Sequence, residues 1–241
     1  MSLPLVNFLF IRNNYEFRND YDVFTFMFEG LVPVVFVLFT VLVYTGSFSQ
    51  EIQNRFIVYT RLRLPLKKLL LIKFSANLLL TFSTFFIFVF SYFIFSFYIE
   101  PLLGLVSYQP ESYNLNEITV IENTYKRHTF TQLLEHGSIT YGLFYSSWVA
   151  SNAAVYASLG FLLVLIIENQ FLALSIPFLL YLLGSFVMGA FNIIKFRFVD
   201  SVFPFNYIQQ PIWTAFVPFL FLVVLCLVLV IIVSKRMDKI V

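Results

Sequence analysis

One cysteine, two histidines, eight glycines and a charged fraction of 12% leave this 241-residue chain with few of the groups from which soluble enzymes build sites. The single Cys226 lies inside an apolar run, so an intrachain disulfide and a cysteine-based metal site are both excluded. His128 and His136 stand eight residues apart, whereas zinc ligands on a helix recur at three or four, so both are expected to be solvated loop residues. No glycine run precedes a Lys-Ser or Lys-Thr pair as a phosphate-cradling loop requires, and neither HExxH nor GxSxG occurs. The chain is therefore expected to be no enzyme and to hold no catalytic residue, metal or cofactor of its own. Charge is about half the roughly 25% typical of soluble domains. With 60% hydrophobic residues and a mean hydropathy of +0.86, lipid must be a large part of the solvent. A net charge of +2 gives no footprint for nucleic acid, which is not expected as a partner. Met1–Ile11 has no basic start and no small-residue cleavage site, so it is not read as a cleavable signal.

What is present is apolar length. A helix crosses the hydrocarbon layer with about 20 residues, and only helices satisfy the backbone over such runs. Five stretches qualify, giving spans at 30–50, 74–99, 140–167, 170–193 and 213–234 of an all-α polytopic membrane bundle. Residues 1–29 form an N-terminal outer segment, within which Leu3–Ile11 is too short to cross and is either interfacial or a shortened helix. Residues 100–139 form an outer loop. Residues 194–212 carry Lys195, Arg197, Asp200 and Phe203-Pro204-Phe205 and predict a pair of short re-entrant or interfacial helices.

The charge is unevenly placed. Residues 51–73, EIQNRFIVYTRLRLPLKKLLLIK, hold six lysines and arginines against Glu51 alone, and the tail adds Lys235, Arg236 and Lys239. Together these are nine of the fifteen basic residues on one side, which sets that side in the cytoplasm of a cell (plasma or inner) membrane, expected to be bacterial, with the N-terminus outside. Phe48, Ile52, Phe56 and Tyr59 recur at helical spacing as one apolar stripe, with Arg55 and Arg61 off it. Such a helix either lies on anionic lipid or offers a grip to a soluble partner. Pro65 ends it, and Lys67, Lys68 and Lys73 read as snorkelling anchors. Glu168-Asn169-Gln170 makes a tight hairpin and a second cytoplasmic contact, with Glu168 as a cap or a partner for a basic residue. Span 140–167 carries Ser151, Asn152 and Tyr156 among alanines; this is a packing face, with those three as candidate pathway residues.

An apolar helix ending in Tyr44-Thr45-Gly46-Ser47-Phe48-Ser49-Gln50-Glu51, a short amphipathic helix to Leu64, the basic–Pro–basic junction Arg61-Leu62-Arg63-Leu64-Pro65-Leu66-Lys67-Lys68, the Phe203-Pro204-Phe205 turn before the last span and a basic tail come in the order that resembles the permease subunit of ABC-2 type (type V) ABC transporters. The likeness covers about residues 23–241. It implies an ATP-driven exporter whose ATP and Mg are bound by a separate ATP-binding subunit, and a second permease chain beside this one. It also implies a coupling helix in which Glu51, Ile52, Arg55, Phe56, Tyr59, Arg61 and Arg63 meet that subunit, with Glu168 and Asn169 as the second contact. Such permeases usually have six spans, and the first strong span here corresponds to their second. Few ionisable groups and much Phe inside the spans point to an amphipathic or hydrophobic cargo. The competing reading is a non-transporting membrane anchor, or an immunity or accessory protein.

Overall fold

The computed structural model describes residues 2–54, 56, 64–205 and 209–236, and among these there is no strand, only an isolated bridge between Phe17 and Tyr108. The helices are α1 (Leu3–Ile11), α2 (Asp20–Met27), α3 (Leu31–Leu42), α4 (Thr45–Gln53), α5 (Leu66–Leu103, with a π turn at Phe95–Ile99), α6 (Glu117–Tyr125), α7 (Ser138–Val164), α8 (Gln170–Ala190), α9 (Phe198–Val202) and α10 (Trp213–Arg236). Four of them, α5, α7, α8 and α10, are long and apolar enough to cross a membrane, and α2 with α3 makes a fifth crossing if the pair, bent by 58°, is one span. The chain is an all-α polytopic bundle with the character of a multi-pass membrane protein.

The bundle is arranged around α7. Its apolar window has the lowest hydropathy of the four, 1.4, yet 83% of it is buried, against 22% for each of α5, α8 and α10. Lipid accepts the Phe- and Leu-rich surfaces of the outer helices, so the inside position goes to the helix whose small residues let backbones approach. Gly142 lies under the Phe93 ring of α5, and a Cβ on Gly160 would stand 3.4 Å from Val41 of α3 and 3.6 Å from Pro177 of α8. Gly184 of α8 admits the Phe198 ring of α9, 2.6 Å from where a Cβ would stand. The short α9 is sewn in by polar bonds: Trp148 Nε1 donates to Ser201 O (2.7 Å), Ser201 Oγ to Ala215 O (2.6 Å), and the Val199 N–H to Ser185 Oγ (3.0 Å).

The ends of several segments differ from the sequence expectation. The run 30–50 is not one helix. It breaks at Tyr44, leaving α3 with 12 residues, about 18 Å, too short to cross alone. α2 precedes it, and Gly30 makes the bend between the two at φ +72°, a conformation that favours glycine. Residues 20–27 pack into the bundle: Tyr21, Asp22, Val23, Phe24 and Met27 are buried. The helix expected at 74–99 starts at Leu66 and continues to Leu103. The stretch 194–212 contains the two short helices Ile194–Phe196 and α9, and α10 begins at Trp213. α1 packs on α2 and α3, with Asn7 Nδ2 donating to Met27 O (3.3 Å) and Glu29 O (2.9 Å) where α2 ends.

Candidate functional site

The two contacts nominated from sequence meet at one end of the bundle. α4 brings Glu51 and Ile52 there, and the turn between α7 and α8 brings Glu168 and Asn169. Ile52, Ile166, Ile167, Glu168, Gln170 and Arg236 line a single groove of about 440 Å³. Glu168 and Asn169 are exposed, and the α8 cap is Asn169 rather than Glu168: its Oδ1 accepts from the Leu172 N–H at 3.1 Å. Arg55, Tyr59, Arg61 and Arg63 lie outside the described residues; Phe56 is 58% exposed.

α4 is held firmly behind this groove. Lys73 of α5 donates to both Glu51 carboxylate oxygens at 2.8 and 2.7 Å, so Lys73 is a clamp and not only an interfacial anchor. Thr45 Oγ1 donates to Asn77 Oδ1 (3.0 Å) and lies 3.3 Å from Ala157 O. Phe48 stacks on Phe161 of α7 with centroids 4.1 Å apart and planes at 10°. A displacement applied to α4 is thus delivered to α5 and α7 together. The break at Tyr44 ends α3 and starts α4 as a separate helix, which still contacts α3.

Of the three candidate pathway residues, Asn152 and Tyr156 are buried in the packing of α7 and Ser151 is half-buried. Ser151 Oγ donates to Ser147 O (2.8 Å) and Asn152 Nδ2 to Trp148 O (3.0 Å). Asn152 Oδ1 and the hydroxyls of Tyr145, Tyr156 and Tyr181 are buried with no hydrogen-bond partner among the described residues, an array of polar atoms on the inner seam of the bundle. The serines and alanines of the sequence flagged this face of α7; nothing in the sequence linked it to Tyr181, whose ring meets Tyr156 at 5.5 Å.

The opposite end holds a polar cluster that sequence reasoning missed. Asp22, fully buried, pairs with Arg127 and with Arg18 Nε at 2.9 Å, while Asn19 Nδ2 donates to Thr124 Oγ1 at 2.6 Å. Gln209 Nε2 donates to the carbonyls of Tyr125 (2.8 Å) and His128 (2.9 Å). The part of stretch 100–139 around residues 124–134 is accordingly packed on the bundle, and His128 is not solvated but buried, with Nδ1 2.7 Å from the Tyr21 hydroxyl; His136 is exposed. The only anchor in the sequence was the (i, i+3, i+7) pattern Tyr21, Phe24, Phe28, masked by its neighbouring acids. Among the described residues no three His, Cys, Asp or Glu side chains converge as a metal site.

Burial, aided by Arg127 and Arg18, holds His128 far below the ordinary histidine range, at about 3, so the imidazole is neutral, with Nδ1 hydrogen-bonded to the Tyr21 hydroxyl. Burial also lowers Arg127 to about 10, still a cation at neutral pH, and lifts Asp200 to about 6 against the pull of Arg197. The signs oppose. Between pH 6.5 and 3 the unfolded chain binds a proton on His128 that the folded chain refuses, so stability falls by about 1.4 kcal/mol per unit as pH drops. Asp200 returns stability below pH 6, because there the folded chain takes the proton first. The stability advantage of wild type over His128→Gln in detergent should therefore shrink by about 2 kcal/mol from pH 7 to pH 5. Parallel unfolding curves at the two pH values would show that His128 is not held neutral.

Comparison with protein-family models, curated proteins and solved structures returns no match to this chain.

Proposed function

We propose that this chain is the permease subunit of an ATP-driven exporter of the ABC-2 type, with its basic end in the cytoplasm. There the groove formed by Ile52, the 166–170 turn and Arg236 seats part of a separate ATP-binding subunit. The observation that carries the reading is the joining of both nominated contacts in one groove, backed by a helix clamped to α5 and α7 through Glu51–Lys73 and Phe48–Phe161. A partner that closes on ATP and moves α4 then moves two membrane helices as one body. Nine of fifteen basic residues belong to the segments at this end, which supports the orientation. The inner seam of α7 is filled by side chains, so a pathway for an amphipathic or hydrophobic cargo is assigned to a pair of such chains rather than to one.

That same filled centre favours a second reading, a non-transporting anchor or accessory protein. The two separate in one experiment. Phe56→Asp combined with Arg61→Glu should reduce copurification of a Walker-motif ATPase in detergent by tenfold or more, with the melting temperature of the chain unchanged. Undiminished copurification removes the coupling assignment, and the absence of any ATPase in the wild-type preparation favours the anchor.

A further inference from the structure

A second groove at the basic end differs in chemistry from the first. It lies between the first turns of α5, the last turns of α7 and the last turns of α10, with a volume of about 350 Å³. Its floor is Phe161, Leu162 and Leu165 of α7, all buried, and its walls include Leu70, Phe74 and Val230. Lys67 and Ser234 stand at its mouth, with Lys235 next in the chain. Both lysines are exposed, and neither forms an ion pair among the described residues, whereas Lys73, six residues along α5, is taken by Glu51.

We infer that this groove is a binding site for an anionic phospholipid, one acyl chain lying on the α7 floor and the phosphate held between Lys67 and Lys235. The lining belongs to helices that cross the membrane, so its natural filling is hydrocarbon. An apolar slot alone would accept any lipid tail; Lys67 at its mouth, unpaired among the described residues, selects the headgroup charge, and Lys235 follows the mouth residue Ser234 as a second cation. Lysine suits the position, since its apolar stem lies along the groove wall while the ammonium reaches the headgroup level. Basic pockets between membrane helices attract anionic headgroups, and each lysine contributes about fivefold in affinity. The inference rests on the groove and its charges and holds with or without an ATP-binding partner.

The full chain, purified in detergent and incubated with phosphatidylglycerol or phosphatidylcholine, tests this by native mass spectrometry. Phosphatidylglycerol should be retained one per chain, at least tenfold over phosphatidylcholine. Lys67→Gln with Lys235→Gln should abolish that preference while leaving the melting temperature unchanged, because both side chains are exposed. Val230→Trp, which fills the slot from its half-exposed wall, should cut retention of both lipids. Equal retention of the two lipids by the wild type, retention untouched by the lysine pair, or a groove closed by a second copy of the chain with no lipid mass each overturns the site.

Discussion

Asp22→Ala should be among the most damaging single substitutions in the chain, costing about 3–5 kcal/mol. The Asp22 carboxylate is fully buried, accepts from Arg18 Nε at 2.9 Å and from the Arg18 backbone N–H at 3.2 Å, and pairs with Arg127. Removing it takes the counter-charge from two guanidinium groups whose side chains are only 18% and 17% exposed. The ion pair at the other end sets the scale: Lys73 and Glu51 are 26% and 36% exposed, and a pair so open to solvent contributes at most about 1 kcal/mol. Asp22→Asn should fall between, since the amide oxygen still accepts from the Arg18 N–H but carries no charge. The decisive comparison is Asp22→Leu with Arg127→Met, which removes charge on both sides. It should recover a large part of the loss, because an apolar replacement of a buried pair is often neutral. Denaturant unfolding in mixed micelles checks all three variants. An Asp22→Ala protein within 1 kcal/mol of wild type would mean that water reaches the cluster and that the packing over α2 is open.

This cluster also explains where sequence reading stopped. The core spans were legible because long charge-free runs have few other uses: α7, α8 and α10 start and stop close to where composition places them. α2 was illegible for the opposite reason. Its DYDVFTFM carries two acids and reads as an outer segment, and burial of Asp22 is made tolerable by Arg18 nearby together with Arg127, more than a hundred residues away. Hydropathy has no access to a counter-charge supplied by the fold. The break at Tyr44 was hidden likewise: Thr45-Gly46-Ser47 are neutral in charge and pass as span, yet Thr45 spends its hydroxyl on Asn77 and Ala157 of two other helices, and this fixes where α4 begins. For the candidate docking groove, the sequence named Glu51, Ile52, Glu168 and Asn169 separately. The union of Ile52 and Glu168 with Arg236 in one groove depends on α4, the 164–170 turn and the end of α10 reaching the same height.

Gly142→Ala carries the second large effect, and it probes the feature on which the whole bundle turns, the close approach of α5 to α7. A Cβ on Gly142 would overlap the Phe93 ring. Phe93 has no room to retreat: it is fully buried, with Phe97 at 4.6 Å, Phe90 at 5.8 Å and Phe24 at 6.1 Å between ring centroids. Overpacking a filled core by one methyl costs about 1–3 kcal/mol, and Gly142→Leu, several methylenes larger, should keep the two helices from docking at all. Helix propensity acts the other way, since alanine is favoured over glycine by about 1 kcal/mol in a helix interior. A net loss therefore requires the steric term to win, and a measured gain would refute the close contact. The pair Gly142→Ala with Phe93→Leu separates the two contributions. Phe93→Leu alone opens a cavity and destabilises; combined with the alanine it should be better tolerated than the sum of the singles, with a coupling of 0.5 kcal/mol or more in a double-mutant cycle. Strict additivity would place Phe93 away from α7 and would leave the central position of that helix without its main structural cause.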